Sequence, residues 1–234
     1  MLSSYSREAL KKVSTATLTT VLFKRGLRNV FIQGIFLLNR GAPRMVGEAF
    51  TLRYIPARED VDQLGAFEGR GHAQREAIEA CPPGHVLVMD ARRDASAATG
   101  GDILMTRLMV RGVSGVVTDG GLRDSPTIEK LDWPAYCGAR SAPLNLVRHH
   151  AVESQVPIGC GGVAVYPGDV VVGDAEGVVV IPAKMAEEVA QEAQAQTEFE
   201  DWVEAKVKEG RSIFGLYPPN AETKAEFEAY KKRR

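Results

Sequence analysis

GGDILMTRLMVRGVSGVVTDGGLRDSP, residues 100–126, is the stretch whose reading decides the fold. A glycine turn leads into an amphipathic segment, a short β-branched run follows, and a second glycine turn ends in an adjacent cation and carboxylate. Ile103, Leu104, Leu108 and Val110 supply apolar positions, Arg107 and Arg111 lie one turn apart, and Gly112 stops the helix this predicts. Val113–Thr118, with its VSGVV core between glycines, predicts a buried strand. That order puts Asp102 at a helix start and Arg123 with Asp124 just beyond a strand, so groups far apart in sequence converge at one mouth.

The residue types at that mouth suggest anion and metal chemistry. Gly100 and Gly101 leave backbone N–H groups of Gly101, Asp102, Ile103 and Leu104 uncovered at a helix N-terminus, where unpaired donors and the helix dipole favour a carboxylate or phosphate. A guanidinium at Arg123 can stabilise a developing enolate oxygen, and a carboxylate at Asp124 can hold a hard divalent cation. The same residues also read as a turn's salt-bridging pair and an ordinary first-turn carboxylate. Local sequence leaves both readings open.

Outward from this stretch, HVLVMDA at 85–91 predicts a buried strand, and the small-residue turn ASAATGG links it to the helix, completing a βαβ-like unit with its ligand site outside the strand ends. GxGxxG and the Walker spacing are absent from that turn, which argues against NAD and ATP. Between Gly100 and Glu129 there is no lysine, so a Schiff-base mechanism has no support there.

Before the unit, residues 3–25 predict two helices divided near Val13–Thr15, the second capped by Ser14 or Thr15 and ended by Gly26. FIQGIFLL and GEAFTLRY predict strands on either side of the turn NRGAPR. Residues 56–75 form a charged, glycine-containing loop bearing Arg58, Arg70 and His72, and AQREAIEA is a short helix halted by Pro82-Pro83. His72 is the loop member able to titrate near neutrality.

After the unit, Arg140 and Asn145 are expected to face the pocket, and Arg58, Arg70, Arg93 and Arg140 are candidates to hold a second carboxylate. The tandem His149 and His150 point in different directions on any regular element, which argues against both serving one metal. Residues 161–182 predict a β-meander whose Asp169, Asp174 and Glu176 serve turns. Residues 183–209 form a long charged helix with Met185, Val189, Phe199, Trp202, Val203 and Val207 on an apolar side, and a short helix begins near Asn220.

At 234 residues, with 44% hydrophobic and 25% charged residues, the chain suits one sizeable core. A net charge of −1 gives no footprint for nucleic acid and no general attraction to a membrane surface, so the expected partner is a small molecule. Cys81, Cys137 and Cys160 are widely spaced and odd in number, which favours buried thiols over a disulfide framework or zinc site. Without a leader pattern or membrane-length apolar run, the expected location is the cytoplasm. The fold class is α/β: a layered β-rich core with helices outside and a C-terminal helical extension.

Asp102, twenty intervening residues and then Arg123-Asp124 resembles the pattern of the RraA-like family. That family includes the class II 4-hydroxy-4-methyl-2-oxoglutarate / 4-carboxy-4-hydroxy-2-oxoadipate aldolases. STATLTTVL, PPGHVLVMDA, GGDIL, GVVTDGGLRD and GGVAVYPGDVVVGDAEGVVVIP occur in the family's order across most of residues 14–182. The resemblance implies a swivelling β/β/α domain over residues 1–182 and an extension over 183–234 that packs on a neighbouring subunit of a homotrimer or homohexamer. It implies Mg²⁺ or Mn²⁺ at Asp124, Arg123 on the enolate oxygen, Asp102 as base through water, and amides of Gly101–Leu104 on the pyruvyl carboxylate. The implied activity is lyase cleavage of a 4-hydroxy-2-keto acid to pyruvate, with oxaloacetate decarboxylation as a companion. The family also contains non-catalytic regulators that bind a ribonuclease, and a 2-keto acid dehydratase or hydratase is a further alternative. In the aldolases an acidic residue of a neighbouring chain approaches the site, and Glu198 and Glu200 are the candidates here.

Overall fold

The computed structural model describes residues 2–233. Two short helices open it, α1 (Ser4–Leu10) and α2 (Thr15–Lys24), each started by a serine, Ser3 or Ser14, whose hydroxyl accepts a backbone N–H of the first turn. Strands β1 (Phe36–Leu37) and β2 (Met45–Pro56) follow, then α3 (Ala73–Ala80) and β3 (Val86–Asp90). The central unit is α4 (Asp102–Val110), β4 (Gly115–Thr118), β5 (Gly121–Leu122) and α5 (Ser125–Ile128). Next come β6 (Ala135–Cys137), β7 (Ala139–Arg140), β8 (His149–Ser154), β9 (Ile158–Cys160) and β10 (Val163–Val165). The chain closes with β11 (Val170–Gly173), β12 (Val178–Ile181), α6 (Ala186–Lys208) and α7 (Ala221–Lys231).

An eight-stranded sheet in the order β1-β6-β4-β3-β2-β11-β12 is the frame, with β8 pairing the far half of the long β2. Its centre, β2-β3-β4-β6, is parallel, and antiparallel strands flank it. Central strands are apolar on both sides because both faces are covered. Leu87 and Met89 of β3 pack with Met105, Leu108, Ala77 and Ile128 of the helices α3–α5. Val86 and Val88, one residue out of phase, meet the β9–β10 hairpin through Ile158, Cys160, Val163 and Val165. A third cluster joins α1, α2 and the start of α6 to Val170, Val172, Val179 and Ile181 of β11 and β12. The end of α6 belongs elsewhere: Trp202 and Val203 pack with Leu216 and Phe227 of the tail.

The mixed α/β architecture agrees with the sequence reading, and two details correct it. Helix α4 buries Met105 and Leu108, whereas Ile103 and Val110 stand 79% and 70% exposed. Residues 161–182 are not one meander, because β10 pairs β9 in a separate hairpin and only β11 and β12 enter the large sheet. Asp169 and Asp174 do serve turns: Asp169 accepts N–H bonds from Tyr166 and Ala183, and Asp174 accepts from Glu176 and clamps Thr15 at the start of α2. The three cysteines are free and buried. Among the described residues no helix is long and apolar enough to cross a membrane.

Candidate active site

The two glycine turns lie side by side as a short parallel ladder. The Gly121 N–H donates to Ala97 O at 3.2 Å, Thr99 N–H to Gly121 O at 2.8 Å, and Arg123 N–H to Gly100 O at 3.0 Å. Small residues are required for that approach. A Cβ on Gly121 would meet Ala97 O at 2.9 Å and Ser141 Cβ at 2.6 Å. The ladder ends with Gly101 and Asp102 at the start of α4 beside Arg123 and Asp124 at the start of α5, so the structure brings the expected site residues together.

Gly101 decides how closely they meet. A Cβ there would come within 2.6 Å of Asp124 Oδ2 and 3.0 Å of Arg123 Cγ, so both side chains fold over the bare backbone that precedes α4. Asp124 is left-handed, at φ 55°, a conformation aspartate tolerates better than most residues. It occupies the cap position of α5 but makes no capping bond. Its carboxylate instead lies 3.3 Å from Arg123 Nε, with the two side chains 40% and 43% exposed. An ion pair that open contributes about 0–1 kcal/mol. The turn salt bridge foreseen as the plainer reading therefore exists.

Asp102 occupies the first turn of α4, and its Oδ1 accepts the Ile103 N–H at 2.7 Å. The Ile103 amide expected to face a substrate carboxylate is thus engaged by Asp102. Leu104 packs partly buried against the core.

Beneath the ladder lies a buried polar scaffold that sequence reasoning did not assign. Tyr54 Oη and Gln74 Nε2 both donate to Thr99 O, at 3.2 and 2.6 Å, and Thr99 Oγ1 donates to Thr118 Oγ1 at 3.1 Å. Asp119, 4% exposed, accepts N–H bonds from Ala91, Arg93 and Gly161. Burial raises its carboxyl above the ordinary value against the opposing pull of those amides. By this means the turn after β3 is held although Arg92 and Arg93 are left-handed, at φ 61° and 59°. The available signal was polarity at positions whose neighbours are apolar, Gln74 on the buried side of α3 and Tyr54 in phase with Phe50 and Leu52.

Other candidates are dispersed. Arg58 pairs with Asp60 in its own loop at 2.6 Å, and Arg140 pairs with Glu129. Arg93 makes no ion pair among the described residues and lines a cleft of about 260 Å³ with Gln33, Ala95, Asp119 and Gly138. Asn145 is buried, and its amide nitrogen has no partner among the described residues. His150 Nδ1 lies 2.7 Å from Asp62, whereas His149 faces Ala97 and Arg92 on the opposite side of β8. Burial lowers the pKa of His72, whose Nδ1 has no partner among the described residues. Glu200 is occupied within its own chain by Thr17, Gln196 and Tyr217 at 2.9–3.0 Å, and Glu198 is exposed. Among the described residues no three His, Cys, Asp or Glu side chains group as a metal cage.

A family model described as RraA-like, Aldolase/RraA, matches residues 15–180. The chain belongs to the RraA-like family. One relative, from Halalkalibacterium halodurans, is provisionally named 4-hydroxy-4-methyl-2-oxoglutarate aldolase. It is 37% identical to the RraA-like chain over 126 residues, which are 53% of this chain and 59% of that relative. The chain thus spans a little over half the length of that relative. Among solved structures, a Pseudomonas syringae pv. tomato protein aligns with TM-score 0.81 at 26% identity, covering 92% of this chain and 94% of its own. Streptomyces coelicolor RraAS2, described as an unusual member of the RNase ES inhibitor RraA family, aligns with TM-score 0.76 at 30% identity. That alignment covers 86% of the RraA-like chain and 96% of RraAS2.

Proposed function

We propose that this RraA-like chain is a divalent-metal-dependent lyase that cleaves a 4-hydroxy-2-keto acid to pyruvate and a second carbonyl compound, with oxaloacetate decarboxylation as a companion activity. The observation that carries the reading is the convergence of Arg123 and Asp124 over Gly101, at the N-terminus of α4. The aldolase name of the Halalkalibacterium halodurans relative supports the same class.

The donor set suits Mg²⁺ or Mn²⁺. Asp124 is a single solvent-accessible carboxylate without a capping duty, and Mg²⁺ sites commonly use one or two carboxylates with water and substrate oxygens. When bound on Asp124, such a cation would supply Lewis-acid polarisation of the 2-keto group. The chain's own groups do the rest. Amides at the start of α4 receive the pyruvyl carboxylate, with Asp102 releasing the Ile103 N–H as substrate enters. Asp102, through a water, takes the proton of the C4 hydroxyl. The C3–C4 bond breaks as the C4 carbonyl forms, and its electron pair remains on C3 as the pyruvate enolate. Arg123 offsets the charge on the enolate oxygen, and the proton taken up by Asp102 and its water passes to C3, giving pyruvate and restoring the carboxylate. The active unit in this reading is a homotrimer or homohexamer.

A second reading, a non-catalytic regulator of a ribonuclease, draws on the likeness to RraAS2. Pyruvate release from 4-hydroxy-4-methyl-2-oxoglutarate and from oxaloacetate, with Mg²⁺, with Mn²⁺ and with chelator, separates the two. The lyase reading expects release that chelator abolishes and metal restores. No release from either acid by a folded, metal-supplied protein favours the regulator.

A further inference from the structure

We infer that His149 is a positioning residue that fastens the Ala97–Gly101 turn against β5, and so holds the backbone that presents Arg123 and the α4 amides. The inference rests on the reading of those groups as the substrate shelf.

His149 is fully buried, at 0% exposure, on β8 and outside the constellation proposed for chemistry. Its Nε2 lies 3.3 Å from Ala97 O, a carbonyl that can only accept, so Nε2 carries the proton. Its Nδ1 lies 3.2 Å from Arg92 Nη2, which can only donate, so Nδ1 must be the bare acceptor. Both ring nitrogens are therefore committed to the neutral tautomer. Ala97 O also receives the Gly121 N–H, Gly121 O receives the Thr99 N–H, and Gly100 O receives the Arg123 N–H. Histidine thus grips the first rung of the ladder whose last rung sets Arg123. Tyr54, whose ring centroid is 5.7 Å from that of His149, grips the same turn through Thr99.

A second proton would occupy Nδ1 and set an imidazolium against the Arg92 guanidinium, breaking that contact. Burial and Arg92 both oppose protonation, whereas the Ala97 carbonyl, Asp94 and Asp119 favour it, and the balance lowers the His149 pKa. Arg148, next in sequence, gives its carbonyl to the same Arg92 nitrogen. The Arg92 contact that orients the ring is accordingly kept through the ordinary histidine range and lost as pH falls below it, which weakens the grip on the turn while Nε2–H still donates to Ala97 O.

Amide hydrogen exchange, corrected for the intrinsic pH dependence, tests this together with pyruvate release. In His149→Leu the Thr99, Gly121 and Arg123 amides should exchange on the order of tenfold faster while Leu87 and Val88 stay protected, and kcat/KM should fall on the order of tenfold or more. His149→Gln keeps a donor for Ala97 O without a titrating group. It should retain protection and lack the acid-side loosening expected of the natural protein. Unchanged exchange at the three amides in His149→Leu would overturn the inference. So would the same acid-side loosening in His149→Gln, which decides the matter if the leucine variant does not fold. If the natural protein releases no pyruvate but the amides respond as described, the lyase reading fails and the role of His149 stands.

Discussion

At the scale of single residues, Gly101 and Arg123 separate the catalytic account from the plain turn. A methyl group at Gly101 would meet Asp124 Oδ2 at 2.6 Å and displace the pair. Gly101→Ala should therefore lower kcat/KM by about a hundredfold, the scale of a 1 Å misplacement, while the thermal midpoint moves little because the position lies at an exposed mouth. Arg123→Ala should cost about 3–4 kcal/mol of transition-state stabilisation, read as a fall in kcat in steady-state pyruvate assays. A mere surface ion pair would leave both quantities nearly unchanged. The placement of Asp102 at a helix start and of Arg123 and Asp124 just beyond a strand was legible because glycine turns mark it in the sequence. His149 was not. A histidine in a strand carries no sign of which carbonyl it will meet, and its partner Ala97 is 52 residues away.

Helix α4 shows the corresponding limit for elements. Its existence and start were legible, whereas its buried side was not, since Ile103, Met105, Leu108 and Val110 offer two overlapping apolar stripes. Contact with the parallel sheet selects Met105 and Leu108, each at 0% exposure. Met105→Ala should destabilise by about 2–5 kcal/mol in urea unfolding, and Ile103→Ala by about 0.5 kcal/mol or less. Equal losses would contradict the packing. The meander over residues 161–182 was misread for a similar reason: turn residues locate the ends of β10, β11 and β12 but do not say which strand pairs with which. The long β2 settles it by offering Met45–Glu48 to β11, leaving β10 to β9.

For the whole molecule, a buried histidine, His149, and a half-buried one, His72, shape the acid side of stability. His72 and His149 have pKa values lowered chiefly by burial, so the unfolded chain, with imidazoles near 6.5, binds more protons than the folded one. Stability should be complete above about pH 6.5 and decline as pH falls through the lowered values, seen as a lower urea midpoint at about pH 5 than at about pH 8. Replacing His149 with glutamine should flatten that decline. Light scattering should return three or six times the 25.4 kDa chain mass, and a monomer would remove the proposed assembly. The α/β class and the parallel β3–β4 pair were readable from the βαβ-like order of apolar runs bounded by glycines. The polar scaffold beneath the ladder was not, because it joins β2, α3, β4 and β8 only after the sheet has formed.

The most direct measurement compares metal-dependent pyruvate release by the natural protein and Asp124→Asn, each verified as folded and in the same oligomeric state. The account predicts release from a 4-hydroxy-2-keto acid that requires Mg²⁺ or Mn²⁺ and falls by at least two orders of magnitude in the asparagine variant, comparable to losing about 3 kcal/mol of transition-state stabilisation. Equal release by the two proteins, or release indifferent to chelator, would contradict the assignment of Asp124 and with it the lyase mechanism.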